Sequence, residues 1–442
     1  MKHNKKFWYM LAPALAGALA IGGCSNSNSD SPEPSPDPII PVEPVPTDPP
    51  VITTTSAWSA ALQTITLEVT VEHFTPSQVR VYPRGIDGGW VETDASSPFS
   101  FSIDISGFEP GDYPMLIVAS DADAEVEKNE VVSINGCNGQ QSLCDRGYDQ
   151  VRFVTTHNAM SNATDGWTEP NQNWDVPAQL QAGVRGLMLD TYRAGSTNGL
   201  GQPEVPDVDP DTGYLCHAIC LIGKQPLVEG LQEVRAFLDA NPGEVVTFIL
   251  ESYLSHELTA AAFDEADLTH YTYVHTGDAW PTLGQMIDAG TRLVVLQDRA
   301  VDPAYPWLMN VWSHAFETHY SAATPADFSC NVNRGTPSND LFIFNHFLTG
   351  VFGAPELAEQ VNYNPFLQAR IDECEAFHAT PANFVTVDFV DIGDAVEAVN
   401  ALNATGGLTS LCPYGNEHRV RRSRTRAHRG RRARRGNPAR IR

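Results

Sequence analysis

Apolar positions change their period along this 442-residue chain. Between 51 and 134 they alternate with polar ones, as in Thr64-Ile65-Thr66-Leu67-Glu68-Val69-Thr70-Val71 and Phe99-Ser100-Phe101-Ser102-Ile103. A period of two sends every second side chain to one face, which predicts half-buried strands. After Cys144 short apolar runs alternate with stretches of three- and four-residue spacing. Strands are predicted at 151–156, 186–191, 214–217, 245–251, 292–297, 341–345 and 384–388. The clearest helix covers 226–240, with Leu227, Leu231, Val234 and Leu238 along one stripe and Asn241-Pro242-Gly243 stopping it. Buried strands separated by amphipathic helices predict a parallel sheet with helices outside.

Seven such strands, with room for an eighth between 300 and 323, span roughly 270 residues and fit an α/β fold of the TIM-type (β/α)8 barrel class over 137–410. A doubly wound open sheet is the structural alternative. Ahead of it, 111–119 and 126–134 resemble the last two strands of bacterial immunoglobulin-like sandwiches, so 51–135 is expected to be a small all-β spacer or binding module. The segment 24–50 is Ser, Asn, Asp and Pro with little to bury, which predicts an extended, semi-rigid linker.

With 42% hydrophobic and 9% aromatic residues there is material for one large core and a smaller one. The formal charge of −26 hides an asymmetry, because 419–442 carries 12 of the 28 basic residues and no acid, leaving 16 basic residues against 54 acidic ones. So acidic a body repels nucleic acid, and a nucleic-acid partner is not expected. The Arg-rich stretch within 411–442 is expected to be a disordered tail and receives no function; an anionic-polymer contact or a frameshifted end are its other readings.

The chain has 8 cysteines. Cys137 with Cys144 and Cys216 with Cys220 are sequence-near disulfide candidates, leaving Cys330 and Cys374 to pair at longer range and Cys412 as the odd one; spacing alone does not fix connectivity.

Barrel enzymes carry their reacting groups at the C-terminal ends of the strands. Here the strand ends read Thr156-His157-Asn158, Leu189-Asp190, Cys216-His217, Leu250-Glu251 and Val387-Asp388. One strand-end histidine is ordinarily structural and one carboxylate ordinarily a cap, but several on successive strands point to a shared catalytic mouth. Imidazole, titrating near neutrality, suits acid or base duty there. His314, His319 and His346 have no partner motif, and His256-Glu257 does not continue into a zinc-protease pattern, so these are read as structural.

In order and spacing, Thr155-Thr156-His157-Asn158, Gly183-Val184-Arg185-Gly186-Leu187-Met188-Leu189-Asp190-Thr191-Tyr192, Leu215-Cys216-His217 and Phe248-Ile249-Leu250-Glu251 resemble the X-box of phosphatidylinositol-specific phospholipases C. With Asn383-Phe384-Val385-Thr386-Val387-Asp388-Phe389 the likeness extends to the secreted PLC-like phosphodiesterases of bacteria, fungi and plants, over 137–404.

That resemblance implies a phosphoric diester hydrolase acting on a phospholipid or related diester. His157 and His217 would be its catalytic pair, one taking the proton of the attacking hydroxyl and the other protonating the departing glycerol oxygen, with either histidine open to either role. It also implies a Ca2+ ion held by Asn158, Asp190 and Glu251, a sparse set with room for water and phosphate, with Mg2+ or no metal as alternatives. The chain departs from calcium-dependent eukaryotic members at Met188, where they carry a glutamate. Metal-independent relatives use an arginine just past the aspartate, and Arg193 is the candidate here. Asp388 and Asn345 are candidates for headgroup hydroxyls or for orienting a histidine. Arg185 precedes its strand and is read as a structural ion pair. The strand ending in Gln297-Asp298 brings no cation for extra ring phosphates.

The first residues place Lys2, Lys5 and Lys6 before an apolar run, 7–21, too short for a stable span, which reads as an export signal over 1–23. Ile21-Gly22-Gly23-Cys24 resembles the bacterial lipobox, making Cys24 a lipid anchor, and Ser25 after it implies outer-membrane sorting. The expectation is an exported, monomeric lipoprotein held at a membrane by its lipidated end. Its rivals are a glycerophosphodiester- or sphingomyelin-cleaving enzyme on the same barrel, and a surface-binding lipoprotein that has lost turnover.

Overall fold

The alternating segment forms two antiparallel sheets in the computed structural model, which describes residues 48–83, 92–277, 279–350 and 353–405. Val51–Ser59, Thr64–Glu72 and Phe99–Asp104 make one sheet; Gln78–Pro83, Glu92–Asp94, Gly111–Ser120 and Glu125–Ile134 make the other. Every second residue turns inward, so Ile65, Leu67, Val69, Phe101 and Ile103 of the first sheet share a buried cluster with Val79, Val81 and Ile117 of the second. The Asp288 carboxylate ties these sheets to the C-terminal α/β body, accepting from the main-chain N–H groups of Ala60 and Ala61 at 2.8 and 3.2 Å and from the Ser59 hydroxyl at 2.7 Å.

That body is mixed α/β, built around one curled sheet. Its parallel strands are β1 (Phe153–Thr156), β2 (Gly186–Arg193), β3 (Val246–Ser252), β4 (Leu293–Gln297), β5 (Leu308–Asn310), β6 (Ala315–Thr318), β7 (Leu341–Asn345) and β8 (Phe384–Val387). They pair in the order β5-β4-β3-β2-β1-β8-β7-β6, each parallel to its neighbour.

Two expectations change. The strand predicted at 214–217 is not part of the parallel series: Gly213–Cys216 runs antiparallel to the end of β2, pairing Gly213 with Arg193 and Leu215 with Thr191, and turns back through Lys224–Pro226. Nor is the ring closed, because β5 and β6 are not paired among the described residues. The stretch where one strand was expected holds both, joined by the four-residue helix Val311–His314. A parallel crossover needs a dozen or more residues, so this link leaves no length for an outer helix. Helices are few: among the described residues none lies between β4 and β5, whereas Leu227–Ala240 covers the step into β3 as the apolar stripe predicts.

Strand alternation sorts the side chains. Val154, Leu187, Leu189, Phe248, Leu250, Val295, Phe342, Phe344, Val385 and Val387 face the helices in the main buried cluster. Their neighbours Phe153, Val294, Leu296, Ile343, Ala315 and Phe384 fill the inside of the curl. One step up each strand, the same inward parity falls on His157, Asp190, Glu251, Asp298, Glu317, Asn345 and Asp388. Among the described residues no helix is long and apolar enough to cross a membrane.

A buried ion pair holds β1 to the helix Phe366–His378. Arg152 Nε and Nη2 donate to the Glu375 carboxylate at 2.5 and 2.6 Å, with the two side chains 1% and 4% exposed. Removing one partner leaves the other charge buried alone, so Arg152→Ala is expected to cost about 3–5 kcal/mol. The check is the midpoint of denaturant unfolding; a midpoint equal to wild type would contradict the stabilising role of the pair.

Candidate active site

A cavity of about 540 Å³ opens at the C-terminal ends of the parallel strands, and His157, Asn158, Asp190, His217, Glu251 and Asn345 all line it. His157 continues β1 by donating its main-chain N–H to Val387 O at 3.0 Å. Its Nδ1 is 2.9 Å from Asp388 Oδ1, and its ring stacks on Phe347 with centroids 4.0 Å apart and planes 8° from parallel. A carboxylate on Nδ1 fixes the tautomer and leaves Nε2 for the cavity. Asp388 thus sits behind His157, buried, rather than on the cavity wall.

Asn158 adopts a left-handed backbone with φ +46°, a conformation that asparagine tolerates better than most residues. Its amide Nδ2 donates to Asn171 Oδ1 at 3.3 Å.

His217 reaches the same cavity from the antiparallel hairpin, on a short loop closed by the Cys216–Cys220 disulfide. Its Nδ1 is buried without a hydrogen-bond partner among the described residues. Burial, and then the charge of His157, hold its imidazole below the ordinary value, while Asp388 pulls the other way. The two imidazoles line the same cavity.

Three carboxyl groups line up on adjacent strands. Asp190 of β2 is in register with Glu251 of β3, and the Leu250 to Gln297 pair sets Asp298 next along. Asp298 accepts from Ser252 N–H at 3.1 Å. Asp190 is 8% exposed, and no hydrogen-bond donor reaches its carboxylate among the described residues. Burial first, then Glu251 and Asp298, push its carboxyl well above the usual carboxylate range. Glu251 accepts a short hydrogen bond from the Tyr253 hydroxyl; that bond, followed by burial, pushes the phenol up to about 12.

The remaining wall went unnoticed in the sequence. Glu317, 2% exposed, takes Arg334 Nε and Nη2 at 2.5 and 3.1 Å, Asn333 at 2.8 Å and the Asn345 amide at 3.2 Å. The Arg334 guanidinium packs over the rings of Trp312 and Tyr320, 4.4 and 4.9 Å from their centroids. A glutamate inside the apolar run Ala315-Phe316-Glu317 was the one available signal; nothing in the chain pattern singles out Arg334.

Arg193 does not line the cavity. It pairs with Asp211 at 2.6 Å, both side chains substantially exposed, in an adjoining cleft. Arg185 is the structural pair that its place before the strand implies, bonding Glu244 at 2.6 Å and stacking on Phe237. His346 is fully buried between Arg370 and the Val361 carbonyl. Cys137–Cys144, Cys216–Cys220 and Cys330–Cys374 are the three disulfides. Cys24 and Cys412 lie outside the described residues.

For a hard cation the donor types are suitable: oxygen side chains, one of them a nearly buried carboxylate lacking a donor. Among the described residues no three His, Cys, Asp or Glu side chains stand at metal-holding spacing. A cation here would have two carboxylates, one amide and open positions.

Compared with known proteins, residues 143–403 match the family model for the PI-PLC X domain, PI-PLC X 1. A PI-PLC X domain-containing protein 1 from Arthroderma benhamiae is 29% identical over 280 residues, 58% of this chain and 86% of that protein. An uncharacterized secreted protein of the same fungus is 26% identical over 284 residues, covering 58% of this chain and 60% of its own length. A PI-PLC X domain-containing protein from Arabidopsis thaliana is 31% identical over 225 residues, 46% of this chain and 49% of that one. Among solved structures, a Bacillus cereus polysaccharide deacetylase matches at 10% identity with a TM-score of 0.18, covering 67% of this chain and 94% of that one, too distant in shape to bear on function.

The environment of His217 has a stability consequence. Its folded-state value is depressed, so as pH falls through the ordinary imidazole range the unfolded chain takes up a proton that the folded one resists, and stability is lost. His217→Gln lacks this loss. Melting temperatures measured between about pH 8 and pH 5 are expected to show the variant gaining on wild type as the pH drops; parallel curves would refute the assigned environment.

Proposed function

Because the chain belongs to the PI-PLC X domain family, with a match over more than half its length, we propose that it is a phospholipase-C-like phosphodiesterase that cleaves a phospholipid or related phosphoric diester by two-histidine acid–base catalysis. The observation that carries this reading is the meeting of His157 and His217, far apart in the chain, at one cavity.

The proton acceptor is His157. As its Nε2 takes the proton of the attacking hydroxyl, the Asp388 carboxylate 2.9 Å from Nδ1 stabilises the imidazolium that forms. His217, brought to the same cavity by the loop that the Cys216–Cys220 disulfide closes, is the partner that gives its proton to the leaving oxygen. The attacking oxygen forms the new bond to phosphorus, the bond to the glycerol-type oxygen breaks, and that oxygen leaves protonated. Attack by a neighbouring headgroup hydroxyl gives a cyclic phosphate; attack by water gives a monoester.

A divalent cation, Ca2+ or else Mg2+, held by Asn158, Asp190 and Glu251, would neutralise phosphate charge when bound. Asn345 keeps its amide nitrogen on Glu317 and Thr318, leaving its oxygen for a headgroup hydroxyl.

The fold reading goes with this: an opened (β/α)8 barrel behind an immunoglobulin-like spacer. Three disulfides and a relative described as secreted support an exported protein. A lipid anchor at Cys24 of a monomeric bacterial outer-membrane lipoprotein rests on the apolar run 7–21, Ile21-Gly22-Gly23-Cys24 and Ser25, while the fungal and plant relatives are eukaryotic proteins.

The full chain should be assayed on phosphatidylinositol and a panel of diesters, with calcium or chelator, beside His157→Ala and His217→Ala. Each variant is expected to lose about 10²–10⁴-fold in kcat, and mass spectrometry of products tells internal from water attack. Equal hydrolysis by wild type and both variants would overturn the residue assignment.

A further inference from the structure

Two adjacent residues of the loop after β1, Asn171 and Gln172, brace the strand ends that carry His157 and Asp388. The Gln172 side chain is fully buried; its Nε2 donates to the main-chain oxygens of His157 at 2.9 Å and Val387 at 3.2 Å, and its Oε1 accepts from Val390 N–H at 3.0 Å. These bonds fasten β1 to β8 through the main chain.

Asn171 works on side chains. It is 3% exposed, and its place is set by N–H donation to Ser161 O and by its own carbonyl accepting from Phe389 N–H, both at 2.9 Å. Its Nδ2 lies 3.3 Å from each oxygen of Asp388, and its Oδ1 accepts from Asn158 Nδ2, also at 3.3 Å. Among the described residues His157 and Asn171 are the side chains that donate to the Asp388 carboxylate. A buried carboxylate short of donors is costly and is free to turn or to take up a proton. The same amide engages Asn158 through its nitrogen, and among the described residues no donor reaches Asn158 Oδ1 beside the cavity.

We infer that Asn171 is a positioning residue for the proposed reaction: it aims the Asp388 carboxylate at His157 and, through its other end, orients Asn158. The inference rests on the reading of His157 as proton acceptor.

The test compares full-length wild type with Asn171→Ala, the near-isosteric Asn171→Asp, and His157→Ala. Readouts are kcat and KM on phosphatidylinositol, the pH profile, and the NMR titration of the His157 imidazole, identified by its absence in His157→Ala. Asn171→Ala is expected to lower kcat about tenfold with KM unchanged, the weight of a hydrogen bond to a charged group. Asn171→Asp adds negative charge beside Asp388, which favours imidazolium, so the His157 titration and its limb of the pH profile should move to higher pH. If Asn171→Ala does not fold, Asn171→Asp decides. Wild-type kcat with an unmoved His157 titration would overturn the inference. Were His157→Ala itself fully active, the functional reading would fall instead, and the imidazole titration would still decide whether Asn171 acts on the His157–Asp388 pair.

Discussion

A hydrogen bond between an imidazole at the end of β1 and a carboxylate at the end of β8 exists only because those strands are parallel neighbours in one register. Thr156 lies opposite Val387, so the next residues, His157 and Asp388, arrive side by side with the same inward parity. A slip of one residue would turn one of them out among the helices. Fully buried side chains guard that register from both faces: Phe153 stacks on Phe384 inside the curl, and Val154, Val385 and Val387 pack outside it. Gln172 then fastens the two backbones where the ladder ends. The His157–Asp388 contact is thus a consequence of sheet packing, and core substitutions along β1 and β8 bear on it as well as on stability.

The same parity gathers acids. Asp190, Glu251, Asp298 and Glu317 all reach the inside of the curl, and their neutralisation is uneven. Glu317 has a guanidinium, Glu251 a phenol and Asp298 a main-chain N–H, while Asp190 has no donor among the described residues and is pushed toward its neutral form. Side chains arranged only for stability would not leave one carboxyl crowded by two others.

Much of this was legible in the chain, and the failures have physical causes. Period-two alternation located the sheets of the sandwich, and apolar runs bounded by helix stops located six of the eight parallel strands, because burial on both faces imposes a recognisable composition. Strand direction is not written in composition: the four residues Gly213–Cys216 look the same parallel or antiparallel, and only the pairing with β2 shows that His217 comes from a hairpin. β5 and β6, three and four residues long, both fall in the one stretch, 300–323, where a single strand was expected. Sequence order and spacing brought His157, Asn158, Asp190, His217, Glu251 and Asn345 to one cavity, since strand-end polarity is unusual enough to stand out. Arg193 went elsewhere because a nearer carboxylate, Asp211, captures it. Asn171 lies in a loop, where asparagine is so common that no pattern marks it.

The open seam accounts for the remaining wall of the cavity. With only the short helix Val311–His314 between β5 and β6, no further helix joins them among the described residues, and Val311 and Trp312 of the link line the cavity themselves. The far edge of β6 is free to pair antiparallel with Val332–Gly335, which swings Arg334 over Trp312 and onto Glu317. A closed ring would spend that edge of β6 on β5 and leave Glu317 buried without its guanidinium, a strongly unfavourable state. Opening the ring and building the Arg334 wall are therefore one structural event.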